Sequence, residues 1–174
     1  MTYVDLKKTE LFSFFNFTEN GRRPSKGGMH EIHFKPGGFQ EFIDVKLKID
    51  SAQMVHQGIL YLDRAWIGGA MTVSPFGKDL AKCFIAAVTP EVDKEQADRV
   101  VCTIWNVQGS SDRVISIHPD GPEKIADKDS IEELEHVYLG IADKFEMNFD
   151  KSCIKIENVM DVGRKRLKIS IDSI

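Results

Sequence analysis

Cysteine is scarce in this chain of 174 residues: Cys83, Cys102 and Cys153 form an odd set with no C-x-x-C spacing. Such a set supports neither a disulfide framework nor a zinc finger, so reduced thiols and a cytoplasmic location are expected. A long apolar run is also missing. The longest candidate, residues 58–73, is interrupted by Asp63 and Arg64 and falls short of the ~20 residues that cross a bilayer. No membrane partner is expected. The first residues carry Asp5, Lys7, Lys8 and Glu10 in place of the apolar stretch and small-residue cleavage site of a secretion signal. Nor is there an excess of positive charge: 23 basic residues against 27 acidic ones leave a net charge of -4, with no long-range field to draw nucleic acid. No fixed-period repeat or low-complexity tract interrupts the chain.

What remains is an ordinary globular composition, 42% hydrophobic and 29% charged with a mean hydropathy of -0.24. At this length it predicts a single domain over residues 1–174 that buries its own core. Ile43, Val45, Leu47 and Ile49 alternate with Asp44, Lys46, Lys48 and Asp50, which predicts a half-buried strand over 42–50. A turn at 51–53 and an extended segment over 54–64 complete a hairpin, with helix as the rival reading of that second segment. Ser74 before Pro75 caps a helix over 75–88, and Thr89-Pro90 starts a second whose stripe is Ala97, Val100, Val101, Ile104 and Trp105. A short strand is expected over 114–118. Ser130 and Glu133 suggest a capping box for a third helix, with Ile131, Leu134, Val137, Tyr138, Ile141 and Phe145 on its apolar face. Residues Ile154 and Ile156, then Leu167, Ile169 and Ile171, form a closing hairpin that turns at 161–163. Residues 20–28 read as a mobile loop. The expected architecture is α+β: an antiparallel sheet with about three helices packed on one face.

Chemistry-bearing residues are thinly spread. In "GGMHEIHFKPGG" His30 and His33 are three apart on an expected strand, so they project to opposite faces and cannot share an ion; no metal site is expected. "NGRRPSKGG" offers Arg22, Arg23 and Lys26 as a weak anion-binding set, although the lysine precedes the glycines, unlike a phosphate-binding loop. Asp63, Arg64, His118 and Asp120 stand at the expected ends of strands, where polar side chains are presented for acid-base work, and His56 is a further candidate in the segment that ends at Arg64. "TVSPF" lacks the glycines of a nucleophile elbow, so Ser74 reads as a cap. "FSFFNF" reads mainly as core, with a subunit contact as the rival. "GRKRLKI" puts Arg166 and Lys168 opposite Leu167 and Ile169, as on a solvated sheet face.

With no coherent catalytic set, the reading is a noncatalytic binding or regulatory module that acts through a protein partner or a homo-oligomer and needs no cofactor. Two alternatives stand beside it. One is a small hydrolase using His56, Asp63, His118 or Asp120; the other is a binder of a small anionic ligand through Arg22, Arg23 and Lys26.

Overall fold

The computed structural model describes residues 1–38, 41–69, 72–107 and 128–174, with the backbone alone for 128–131. Seven runs pair into one antiparallel sheet: β1 (Thr18–Pro24), β2 (His30–Lys35), β3 (Ile43–Ile49), β4 (Val55–Asp63), β7 (Lys144–Asn148), β8 (Ser152–Asp161) and β9 (Arg164–Ser173). Their spatial order is β1-β2-β3-β4-β9-β8-β7. The first four form a meander, and the chain then crosses to the far edge and returns as a second meander, joining at β4 and β9. A two-stranded hairpin, β5 (Gly68–Gly69) with β6 (Thr72–Val73), stands apart.

Strict alternation creates a sheet with two unlike faces. In β3 the four apolar side chains are fully buried and the charged ones between them half-exposed. Ile32, Phe34, Leu60, Leu62, Ile154, Ile156, Leu167, Ile169 and Ile171 extend the same buried face across the sheet. Each fully buried aliphatic of this kind contributes about 1.5–3 kcal/mol relative to its exposed state.

Helices cover that apolar face. They are α1 (Tyr3–Leu6), α2 (Glu10–Phe15), α3 (Arg64–Ile67), α4 (Pro75–Val88), α5 (Lys94–Asn106) and α6 (Lys128–Leu139). Helix α4 packs on β4 and β9, α6 on β7 and β8, and α5 on α4 and α6. At the other end Phe12 meets Phe34 edge-on at 5.1 Å, and Tyr3 lies 6.1 Å from Phe34. Gly58 makes the close approach of α4 feasible: a Cβ there would lie 2.6 Å from Val88 Cγ1. Ser74 caps α4 through Gly77 N, as its position before Pro75 predicts. Asp93, fully buried, accepts from Ser152 Oγ at 2.6 Å and Lys151 N at 3.1 Å, so the start of α5 holds the turn between β7 and β8.

The α+β class, the two hairpins and the helices over 75–88 and after Pro90 follow the sequence reading. Three expectations change. Residues 18–24 form the edge strand β1, where a mobile loop over 20–28 is expected; all seven residues are exposed, so no apolar alternation marks them. Ser130 lies within the first turn of α6, which already includes Lys128, so it does not cap the helix start. Helix α6 ends at Leu139, leaving Ile141 exposed beyond it and Phe145 buried from β7. The strand expected over 114–118 lies outside the described residues.

Candidate docking surface

The face of the sheet opposite the helices is polar and ordered. Antiparallel register places residues in rows that cross it, because directly paired residues project to the same side. One row runs Asp44, Tyr61, Lys168, Glu157, Lys144. The next runs His33, Lys46, Ile59, Ser170, Lys155, Glu146, and the third Glu31, Lys48, Gln57, Asp172, Cys153, Asn148. Tyr61 and Ile59, on the central strand β4, give the face an aromatic and aliphatic middle.

Ion pairs hold much of this surface in place. Lys35 meets Asp44 at 2.5 Å, Lys168 meets Glu157 at 2.6 Å, His33 meets Glu31 at 2.5 Å and Lys155 meets Glu146 at 3.6 Å. The Gln57 amide donates to Asp172. Exposed pairs of this kind contribute little stability each, about 0–1 kcal/mol; their effect here is to restrict side-chain geometry. Not every cation is paired. Lys46 has its ammonium 5.0 Å from the Tyr61 ring centre and no carboxylate partner, and Lys48 and Arg23 have none among the described residues. The Glu31 carboxyl is held below its ordinary range, chiefly by the hydrogen bond from His33, against the opposing effect of burial, with the Lys46 and Lys48 charges adding to the lowering.

At one end of the face a denser network forms. Arg166, its side chain 6% exposed, donates from Nη1 to Asp44 at 2.7 Å and Asp161 at 2.9 Å, and from Nη2 to the Glu41 carbonyl at 3.2 Å. Its Nε is buried without a hydrogen-bond partner among the described residues. Burial tends to raise the Asp44 pKa, but hydrogen bonds from Lys35 and Arg166 outweigh it and leave the carboxyl below its ordinary value. Arg164 lies 3.6 Å from Glu41 and 3.7 Å from Asp63, over the Phe42 ring. The solvated face expected for "GRKRLKI" is thus corrected at Arg166: carboxylates on β3 and β8 draw it into a buried network, while Lys168 stays half-exposed.

Among the described residues, those singled out from sequence do not assemble into one cleft. His56 and Asp63 occupy opposite ends of β4, seven residues and so about 23 Å apart at ~3.3 Å per residue. His56 pairs with Asp50 at 2.8 Å, while Asp63 accepts from Ala65 N at 2.9 Å and starts α3. His118 and Asp120 lie outside the described residues. Arg22 and Arg23 follow one another along β1 and so point to opposite sides, with Arg22 on Glu19 at 3.3 Å. Lys26 is exposed in the turn beyond. His30 and His33 pair with Ile49 and Lys46 respectively, on opposite faces. No group of three or more His, Cys, Asp or Glu is placed to hold a metal among the described residues. Cys153 is buried, and burial first, then the neighbouring Glu146, pushes its thiol up, away from the reactive thiolate. Phe12, Phe15 and Phe17 belong to the core, and Phe14 alone of the "FSFFNF" aromatics is exposed.

Sequence reasoning did not single out Tyr61, Ile59, Lys46 or Lys48 as surface partners. The outward position of Lys46 and Lys48 was legible in the alternation of β3, but their meeting with Tyr61 depends on strand register.

Comparison with known protein families, characterised proteins and solved structures returned no match. The fold itself defines the class: an α+β protein with an antiparallel sheet, helices on one face and a charged ladder on the other.

Proposed function

We propose that the chain is a noncatalytic binding module that docks a protein partner, or a second copy of itself, on the face of its sheet opposite the helices. The observation that carries this reading is the ordered polar face itself, centred on Tyr61 and Ile59. Seven strands at ~4.8 Å spacing and about 25 Å of strand length give a footprint of roughly 750 Å², close to the ~800 Å² that each side of a standard interface buries. Side chains already restricted by ion pairs lose less freedom on docking, and this lowers the cost of association. An aromatic centre within a polar rim is the anatomy of such an interface. The hydrolase alternative draws less support, because His56 and Asp63 stand at opposite ends of one strand. The anion-binding alternative is weakened because Arg22 and Arg23 diverge.

Photocrosslinking tests the reading. A photoreactive residue placed at Ile59 should form an adduct with one defined protein in the producing cells, reproduced when that protein is purified and mixed with the chain. The same residue at exposed Phe14 should not. Adducts at Phe14 with none at Ile59 would contradict the proposal.

A further inference from the structure

Resting on that reading, we infer that the docked partner is a protein presenting an acidic surface, received by the cationic strip of Lys46, Lys48 and Arg23. The acidic residues of this half of the face are already engaged: Glu31 by His33, and Asp44 by Lys35 and Arg166. Among the described residues none of the three cations has a carboxylate within ion-pair distance, although Glu31 stands opposite Arg23 and Lys48 in the ladder. The hydrogen bond from His33 does not cancel the Glu31 charge, but Arg23, Lys46 and Lys48 outnumber that one carboxylate, so the local charge over β1 to β3 is positive although the whole chain is negative. Complementary charge selects the partner and speeds its encounter. Asp172 sets the boundary of the strip: it lies beyond Gln57 on β9 and, among the described residues, its hydrogen bond comes from that neutral amide, so the acidic contact belongs to the β1 to β4 side. A polyanion such as nucleic acid fits less well, since the cationic strip is short: Glu31 interrupts it between Arg23 and Lys48, and Asp172 ends the Lys48 row, leaving no continuous track for a phosphate chain. Lys46, over Tyr61, adds a second feature: a carboxylate that meets the ammonium would sit beside a half-buried aromatic ring, which favours an acidic segment with apolar side chains of its own.

The test uses the isotope-labelled full chain titrated with a short peptide of alternating glutamate and tyrosine, a matched peptide with lysine replacing glutamate, and a thymidine oligonucleotide. The acidic peptide should shift the resonances of Lys46, Lys48 and Tyr61, and its affinity should fall as salt is raised. Lys46→Glu/Lys48→Glu should weaken binding by at least about tenfold, and Lys46→Met/Lys48→Met by less, both with an unchanged melting temperature. Shifts centred elsewhere, equal binding of the lysine peptide, or tighter binding of the oligonucleotide through the same residues would each overturn the inference. The two failures are separable. An Ile59 crosslink that persists undiminished in Lys46→Glu/Lys48→Glu removes the acidic partner and leaves the docking face standing, whereas absence of any Ile59 crosslink removes the docking face itself.

Discussion

Replacing Gly58 by alanine probes how closely the helix layer sits on the sheet. A Cβ at this position would lie 2.6 Å from Val88 Cγ1, 3.1 Å from Val88 Cγ2 and 3.2 Å from Phe84 Cζ, against an optimum of ~3.5–4.0 Å for carbon pairs. Phe84 is fully buried and Val88 nearly so, so neither has room to move away. Overpacking of this sort costs about 1–3 kcal/mol. Alanine recovers about 0.5–1 kcal/mol of the backbone entropy that glycine loses in a strand. Gly58→Ala should therefore destabilise the fold by about 1–2 kcal/mol, a fall of roughly 3–6 °C in melting temperature for a chain of this length. Urea unfolding followed by tryptophan fluorescence measures it, and Val88→Ala supplies the control. With the valine methyls gone the new Cβ has space, so Gly58→Ala should cost at least about 1 kcal/mol less in the Val88→Ala background. A neutral Gly58→Ala, or strict additivity of the two changes, would refute the packing described for α4.

Three further outcomes are expected. Val162, 87% exposed, takes φ 49° in the two-residue turn with Gly163 at φ 75°, a left-handed conformation that a β-branched residue resists; Val162→Asn should raise stability by about 0.5–1 kcal/mol in thermal unfolding. Asp93→Ala removes the acceptor for Ser152 Oγ and Lys151 N and should cost about 2–3 kcal/mol in chemical denaturation, with Asp93→Asn costing less. Burial first, then the hydrogen bond to Glu19, pushes the Tyr3 hydroxyl up to about 12. An unfolded tyrosine ionises near 10, so between those values the unfolded chain has lost a proton that the folded chain keeps. The stabilisation is complete below pH 10 and disappears as pH rises toward 12, and Tyr3→Phe should flatten that part of the stability curve.

Much of the architecture is legible in local pattern. The alternation of 43–49 marks a strand buried on one side, Ser74-Pro75 marks a helix start to the residue, and Asp161 to Gly163 marks a turn. Features that depend on distant segments are not. β1 has no apolar period because both of its faces are exposed, and it is a strand only because β2 supplies hydrogen bonds along one side. The same holds for the candidate surface. Lys46, Tyr61 and Lys168 are separated by 15 and then 107 positions, and no spacing rule links them; the pairing of β3 with β4 and of β4 with β9 does. Arg166 shows the limit most clearly, since the strand period puts it on the polar face while only the arrival of Asp44 and Asp161 determines that it is buried.

The most direct test of the docking face is nuclear magnetic resonance of the chain with the Ile59 methyl groups and the Tyr61 ring selectively labelled, before and after addition of the protein recovered by crosslinking. Both signals should shift together, and at the same partner concentration both should shift less when Lys46 and Lys48 are replaced by glutamate. Perturbation confined to the exposed edge strands or to the helix layer, with the Ile59 and Tyr61 signals unmoved in the native chain, would contradict the account.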